Sequence, residues 1–70
     1  MQHSQNFMEP TELQTLREAI KASPDNLPLR KLYAGALLRH NRFDEAEAEF
    51  KEALRAWPND NSLKVGLAEA

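Results

Sequence analysis

The chain has 70 residues, 41% hydrophobic and 29% charged, with no Cys and a formal net charge of -2. A chain of this size makes at most one small domain and buries only about 60% of its unfolded surface; without Cys, and with His3 and His40 isolated from other metal-binding side chains, packing alone must hold it together. The charge balance argues against the strongly basic face that usually engages nucleic acids, and no run approaches the roughly 20 apolar residues of a membrane span, so neither is expected as a partner and the expected setting is cytoplasmic.

Ala, Leu, Glu, Lys and Arg dominate while Val, Ile and Thr are scarce, which suits an all-α chain and argues against strands. Residues 1–10, "MQHSQNFMEP", are polar and aperiodic; they read as a flexible lead-in, with Phe7 and Met8 able to fold back on the first helix. Thr11 and Gln14 have the spacing of a capping box, which predicts a helix starting near Glu12. Leu13, Leu16, Ala19 and Ile20 recur at steps of three and four and give it one apolar stripe. Pro24 disfavours helical geometry at Ser23 and ends it.

Asp25 and Asn26 offer caps for a second helix over about Leu27 to His40, in which Pro28 is tolerated because first-turn amides lack intrahelical acceptors. Leu29, Leu32, Tyr33, Ala36, Leu37 and Leu38 spread round more than one side of it, as expected of an inner helix touching two neighbours. Asn41 suits the left-handed residue that closes a helix. Asp44, with Glu47 three residues on, predicts a capped third helix whose buried stripe is Ala46, Phe50, Ala53 and Leu54; Glu47 and Lys51 form an exposed pair, and Pro58 stops the helix. A fourth helix is expected from about Asn61 to the last residue.

The segments are not independent. When Leu16 to Ala36 is laid against Phe50 to Ala70, an offset of 34, Glu18, Ala19, Ala22, Pro24, Leu29, Ala34 and Ala36 meet identical residues, seven of 21 pairs, and eight further pairs are chemically similar. Helix stop, cap and apolar stripe all stay in register, so the chain carries an internal repeat. Small Ala34, Ala46 and Ala53 allow two helix backbones to approach, with Phe50 and Tyr33 filling the wedge beside them.

A period of 34 with Ala46, Phe50, Ala53 and Pro58 at these spacings resembles the second-helix half of the tetratricopeptide repeat. The first-helix half is looser: Arg30 stands where the family often has Trp, Tyr33 takes the Leu place, Ala34 the small place and Leu37 the Tyr place. The resemblance covers about residues 11 to 70. It implies an all-α, antiparallel helix-turn-helix solenoid fragment of about four helices. Residues 11–26 would be the second helix of a preceding repeat, 27–60 one complete repeat, and 61–70 a truncated first helix of the next. Leu63, Val65 and Leu67 would then form an open apolar end, which suggests a piece of a longer array or an end that pairs with a second copy. The run from Ser23 to Phe50 is also similar to short helical heads at the N-terminus of some bacterial AAA-type ATPases, which would make the segment an adaptor beside a separate enzyme domain.

The residues themselves point to no catalysis and no cofactor: there is no Gly-rich phosphate loop, and neither His has a nucleophile at a meaningful spacing. Glu45, Glu47, Glu49 and Glu52 read as a solvated helix face, His40 as a residue favourably placed against a helix C-terminus, and Trp57 as a cover over the core. Charge is segregated, however. Arg30, Lys31, Arg39 and Arg42 fall in 27–42 without an acid, while 43–55 is mostly acidic. Helix dipoles account for Arg39, Arg42, Asp44 and Glu45 but not for Arg30 and Lys31. In the family the first helix of each repeat lines a concave, ligand-holding surface. The resemblance therefore implies a mildly basic groove faced by Lys31, Gly35, Leu38 and Arg39, taking a peptide or helix of a partner protein, an acidic one among the candidates. The family's carboxylate clamp for chaperone C-termini needs an Asn where Gly35 stands, so that ligand is not expected.

Overall fold

A computed structural model describes residues 10–70; the expected lead-in over 1–10, with Phe7 and Met8, lies outside it except for Pro10. Among the described residues there are four α-helices and no strand: α1 (Thr11–Ala22), α2 (Leu27–Arg39), α3 (Phe43–Ala56) and α4 (Asn61–Glu69).

Two helix starts differ from expectation. Pro10, at φ -56°, is itself the N-cap of α1, and its carbonyl accepts from Leu13 N at 3.1 Å and Gln14 N at 3.2 Å. Thr11 is already helical, so its hydroxyl does not act as the cap. Asp44 fails as a cap for a related reason. α2 closes with Asn41 at φ 62°, Asn41 N bonding to Leu38 O at 3.0 Å and Arg42 N to Leu37 O at 2.8 Å. These two bonds form a Schellman turn. The turn brings the chain round so tightly that the Arg42 carbonyl accepts at once from Ala46 N at 3.0 Å, and α3 begins at Phe43. Asp44 then sits inside the first turn, where its charge still suits the dipole. Glu47 turns to Lys51 at 3.1 Å instead of closing a capping box.

The other starts follow the sequence. Asn26 Oδ1 accepts from Leu29 N at 3.1 Å, and Asp60 Oδ1 accepts from Leu63 N at 3.1 Å. Such caps each contribute about 1 kcal/mol. The helices α1 and α3 end at Ser23 and Trp57, each followed by a proline.

The core consists of Leu13, Tyr33, Ala34, Ala36, Leu37, Ala46, Phe50, Ala53 and Leu63. Four of these lie on α2, which packs on α1, α3 and α4 and is the inner helix its wide apolar surface predicts. Leu13, Leu37 and Leu63 are fully enclosed, each stabilising the fold by about 1.5–3 kcal/mol. Leu16, Ile20, Leu54 and Trp57 lie half-buried against this core, Trp57 covering it as expected. Gly66 is where α4 meets α3: a Cβ there would overlap the Phe50 ring. The ring thus occupies the space that a side chain at 66 would fill, and this docking buries Leu63. The expected open apolar end therefore shrinks to Val65, 58% exposed, and one side of half-buried Leu67. Leu32, counted with the covered positions of α2, is also 58% exposed.

Candidate functional site on the second helix

Lys31 lies four residues before Gly35, and Leu38 and Arg39 lie three and four after it, so the four share one side of α2. The face opposite holds Tyr33 and Leu37, both buried. Leu38 lies between these extremes, half-buried against the core. Gly35 has ordinary helical φ, so no turn demands it, and a Cβ built there would meet only Arg39 Nη1, at 3.9 Å. Packing does not demand it either. In a helix interior, Gly is less favourable than Ala by about 0.8–1 kcal/mol, and nothing within the fold recovers that.

The two cations of this face are held by the chain's own carboxylates. Lys31 Nζ lies 2.9 Å from Asp60 Oδ2, linking α2 to the start of α4, and Arg39 Nη2 lies 2.6 Å from Glu12 Oε2 on α1. His40 donates through Nε2 to Glu12 Oε1 at 3.0 Å, so one carboxylate ties the end of α2 to the start of α1. The His40 hydrogen bond, and then the Arg39 guanidinium, lower the Glu12 pKa. The Asp60 pKa falls from 3.8 to about 2, chiefly through the Ser62 hydroxyl and then through Lys31; Ser62 Oγ donates to Asp60 Oδ1 at 2.7 Å.

The remaining segregated bases are paired as well. Arg30 Nη1 lies 3.8 Å from Glu49, and its Nε donates to the Pro24 carbonyl at 2.7 Å. Arg42 Nε meets Glu45 at 2.6 Å. Burial raises the Glu49 pKa, with Arg30 opposing. Arg30 and Lys31, which helix dipoles left unexplained, therefore have structural partners, and the expected excess of positive charge along α2 is offset pair by pair. Sequence spacing could not reveal Glu12 and Asp60 as the counter-ions, since they arrive from other helices. The one local hint was that Asp60 stands a full period after the cap Asn26.

Depressions mark the surface of the described residues. One of roughly 360 Å³ is lined by Ala56, Trp57, Pro58, Asn59 and Asp60. Another of roughly 160 Å³ is lined by Pro24, Asp25, Arg30, Glu52, Ala56 and Trp57. Neither touches Lys31, Gly35, Leu38 or Arg39. Among the described residues, no group of three or more His, Asp or Glu side chains could hold a metal ion, and no helix is long and apolar enough to cross a membrane.

A family model for the tetratricopeptide repeat matches residues 13–70. No curated protein matches the chain, and no solved structure does. Four helices nested through small residues, a 34-residue period and a family match that takes in all but the start of the first helix agree with one another: the chain belongs to the tetratricopeptide repeat family, whose members generally serve contact between proteins.

Proposed function

We propose that this segment binds a peptide or helix of a partner protein along the face of α2 that carries Lys31, Gly35, Leu38 and Arg39. In this reading residues 27–60 form one complete repeat, residues 11–26 close a preceding one and residues 61–70 open the next, so that α2 and α4 line the same concave side. The observation that carries the reading is Gly35. It lowers the stability of the helix it sits in, no contact or backbone angle of the fold requires it, and it leaves a flat place in mid-helix where another backbone can come close. The segment acts by holding and orienting rather than by chemistry.

The test is to select binders from a displayed library of random peptides and compare them on the original chain and on Gly35→Arg. Circular dichroism should show the variant still helical, because a side chain begun at 35 meets only the end of Arg39, while the selected peptides lose at least about tenfold in affinity, as expected when the centre of an interface is blocked. Equal binding to both proteins would remove the reading.

A second reading is favoured by Val65, 58% exposed on α4: the segment is a spacer whose α4 docks on a second copy. Sedimentation across a wide concentration range separates the two, since a folded monomer throughout would exclude the spacer dimer.

A further inference from the structure

The proposed groove has a charge state that α2 alone does not reveal. Lys31 and Arg39, its two cations, sit 2.9 Å and 2.6 Å from Asp60 and Glu12. An acidic partner reaching either cation would meet a carboxylate that the fold already holds beside it. The positive charge is already balanced there, and Asp60 or Glu12 repels the newcomer. Glu69, one 34-residue period after Gly35, adds a further acid to the corresponding face of α4.

Apart from Glu69, the exposed places on these faces without a counter-charge are apolar. Pro28 lies seven residues before Gly35 and is exposed, Leu38 is half-open, and Val65, one period after Lys31, is 58% exposed. The Lys31 bridge joins α2 to the start of α4, so the apolar places belong to two helices held in fixed relation.

Resting on the groove reading above, we infer that the partner segment is neutral and apolar on its contacting side, and that the Lys31–Asp60 and Arg39–Glu12 pairs select against carboxylate-rich segments. The pairs act as a screen. Each carboxylate masks a cation that would otherwise attract acidic chains, while the apolar places favour Leu, Ile, Val or Met from the partner.

The experiment is the same displayed library selected separately on the original chain, on Glu12→Gln and on Asp60→Asn, with the enriched peptides sequenced and titrated in low and high salt. Both substitutions keep the shape of the side chain, and Asn still caps α4. Peptides from the original chain should be rich in apolar residues and poorer in Asp and Glu than the starting library, with affinity changing less than about threefold between about 50 and about 300 mM salt. Each variant should enrich Asp and Glu several-fold, with binding that weakens steeply as salt rises, because a cation has been unmasked. Acid-rich, salt-sensitive binders on the original chain that Gly35→Arg still abolishes would overturn the inference and leave the groove standing. Binders indifferent to Gly35→Arg, or no enrichment on any of the three proteins, would overturn the groove and the inference with it.

Discussion

The helices α2 and α4 begin alike and then diverge. Asn26 and Asp60 stand 34 residues apart and cap Leu29 and Leu63 with the same 3.1 Å bond. Further along, each helix carries one glycine, but at different places in the period and under opposite conditions. Gly66 is buried against the Phe50 ring, whereas a Cβ at half-buried Gly35 would meet only the end of Arg39. The positions equivalent to Phe50 and Gly66 one period earlier are Leu16 and Leu32. A large ring over a missing side chain at one interface thus corresponds to two medium side chains at the other, although Leu32, 58% exposed, is far less enclosed than Gly66. The same residue type therefore has two meanings here: one glycine belongs to the packing of the repeat, and the other is not explained by it.

Gly66→Ala puts the difference between the two glycines to its hardest test. The added methyl must displace a ring that is 95% enclosed, since Phe50 is only 5% exposed. Overpacking of this kind costs about 1–3 kcal/mol, more than the roughly 1 kcal/mol of helix propensity that alanine returns. Urea unfolding should show a lower midpoint, and the double variant Gly66→Ala with Phe50→Leu should recover part of the loss, because the smaller side chain vacates the contested space. If Gly66→Ala alone proves stabilising, α4 does not dock on α3 as described.

The matching substitution, Gly35→Ala, should do the reverse. With only Arg39 Nη1 within reach, at 3.9 Å, the new methyl meets no obstacle, and the midpoint should rise by the equivalent of about 0.5–1 kcal/mol. Any library-selected binder of the α2 face should nonetheless weaken. A gain in stability joined to a loss in binding would separate this glycine from its counterpart on α4; a loss of both would place it with Gly66 as a packing residue. A smaller contrast is available at the second helix start, where Asn26→Ala removes one capping bond on an exposed turn and should lower stability by about 1 kcal/mol in the same assay, a loss that Asn26→Ser should largely avoid.

Where the sequence was legible, the cause of a feature was local. Asn26 and Asp60 as caps, Asn41 as the left-handed closer, and Ala46, Phe50 and Ala53 as one buried stripe depend on residues a few places away, and periodicity finds them. Thr11 and Asp44 have cap chemistry and correct spacing, but the preceding backbone had already begun each helix, at Pro10 and through the Asn41 turn. Leu63 looks uncovered in the sequence because no local pattern reveals that Gly66 admits the Phe50 ring beside it. Leu32 looks covered for the complementary reason: a stripe specifies a direction without specifying what stands there. On the candidate face, the residues of α2 were readable from one helix, whereas the carboxylates that neutralise Lys31 and Arg39 come from α4's cap and from α1, contacts that only the tertiary fold creates.

The smallest expected effect separates the two caps by charge. Asp60 titrates and Asn26 does not, so the start of α4 should weaken in acid while the start of α2 holds. The folded-state pKa of Asp60 is about 2 against an ordinary 3.8, lowered chiefly by the Ser62 hydroxyl and then by Lys31. A depressed carboxylate contributes its full stability above the unfolded pKa and loses it as pH falls through the folded value. The window is therefore from about pH 4 down to about pH 2. Glu12, also lowered, acts in the same direction, whereas Glu49, raised by burial, acts oppositely and favours the fold slightly as pH falls toward its ordinary range. Urea midpoints measured across this window should decline less steeply for Asp60→Asn than for the original chain. Converting the other cap, Asn26→Asp, should add only a shallow slope, because Pro28 stands where Ser62 would have to be and can supply no hydroxyl. Equal slopes for the original chain and Asp60→Asn would mean that the Asp60 carboxylate is not held by Ser62 and Lys31, and that Lys31 remains free to meet an acidic partner.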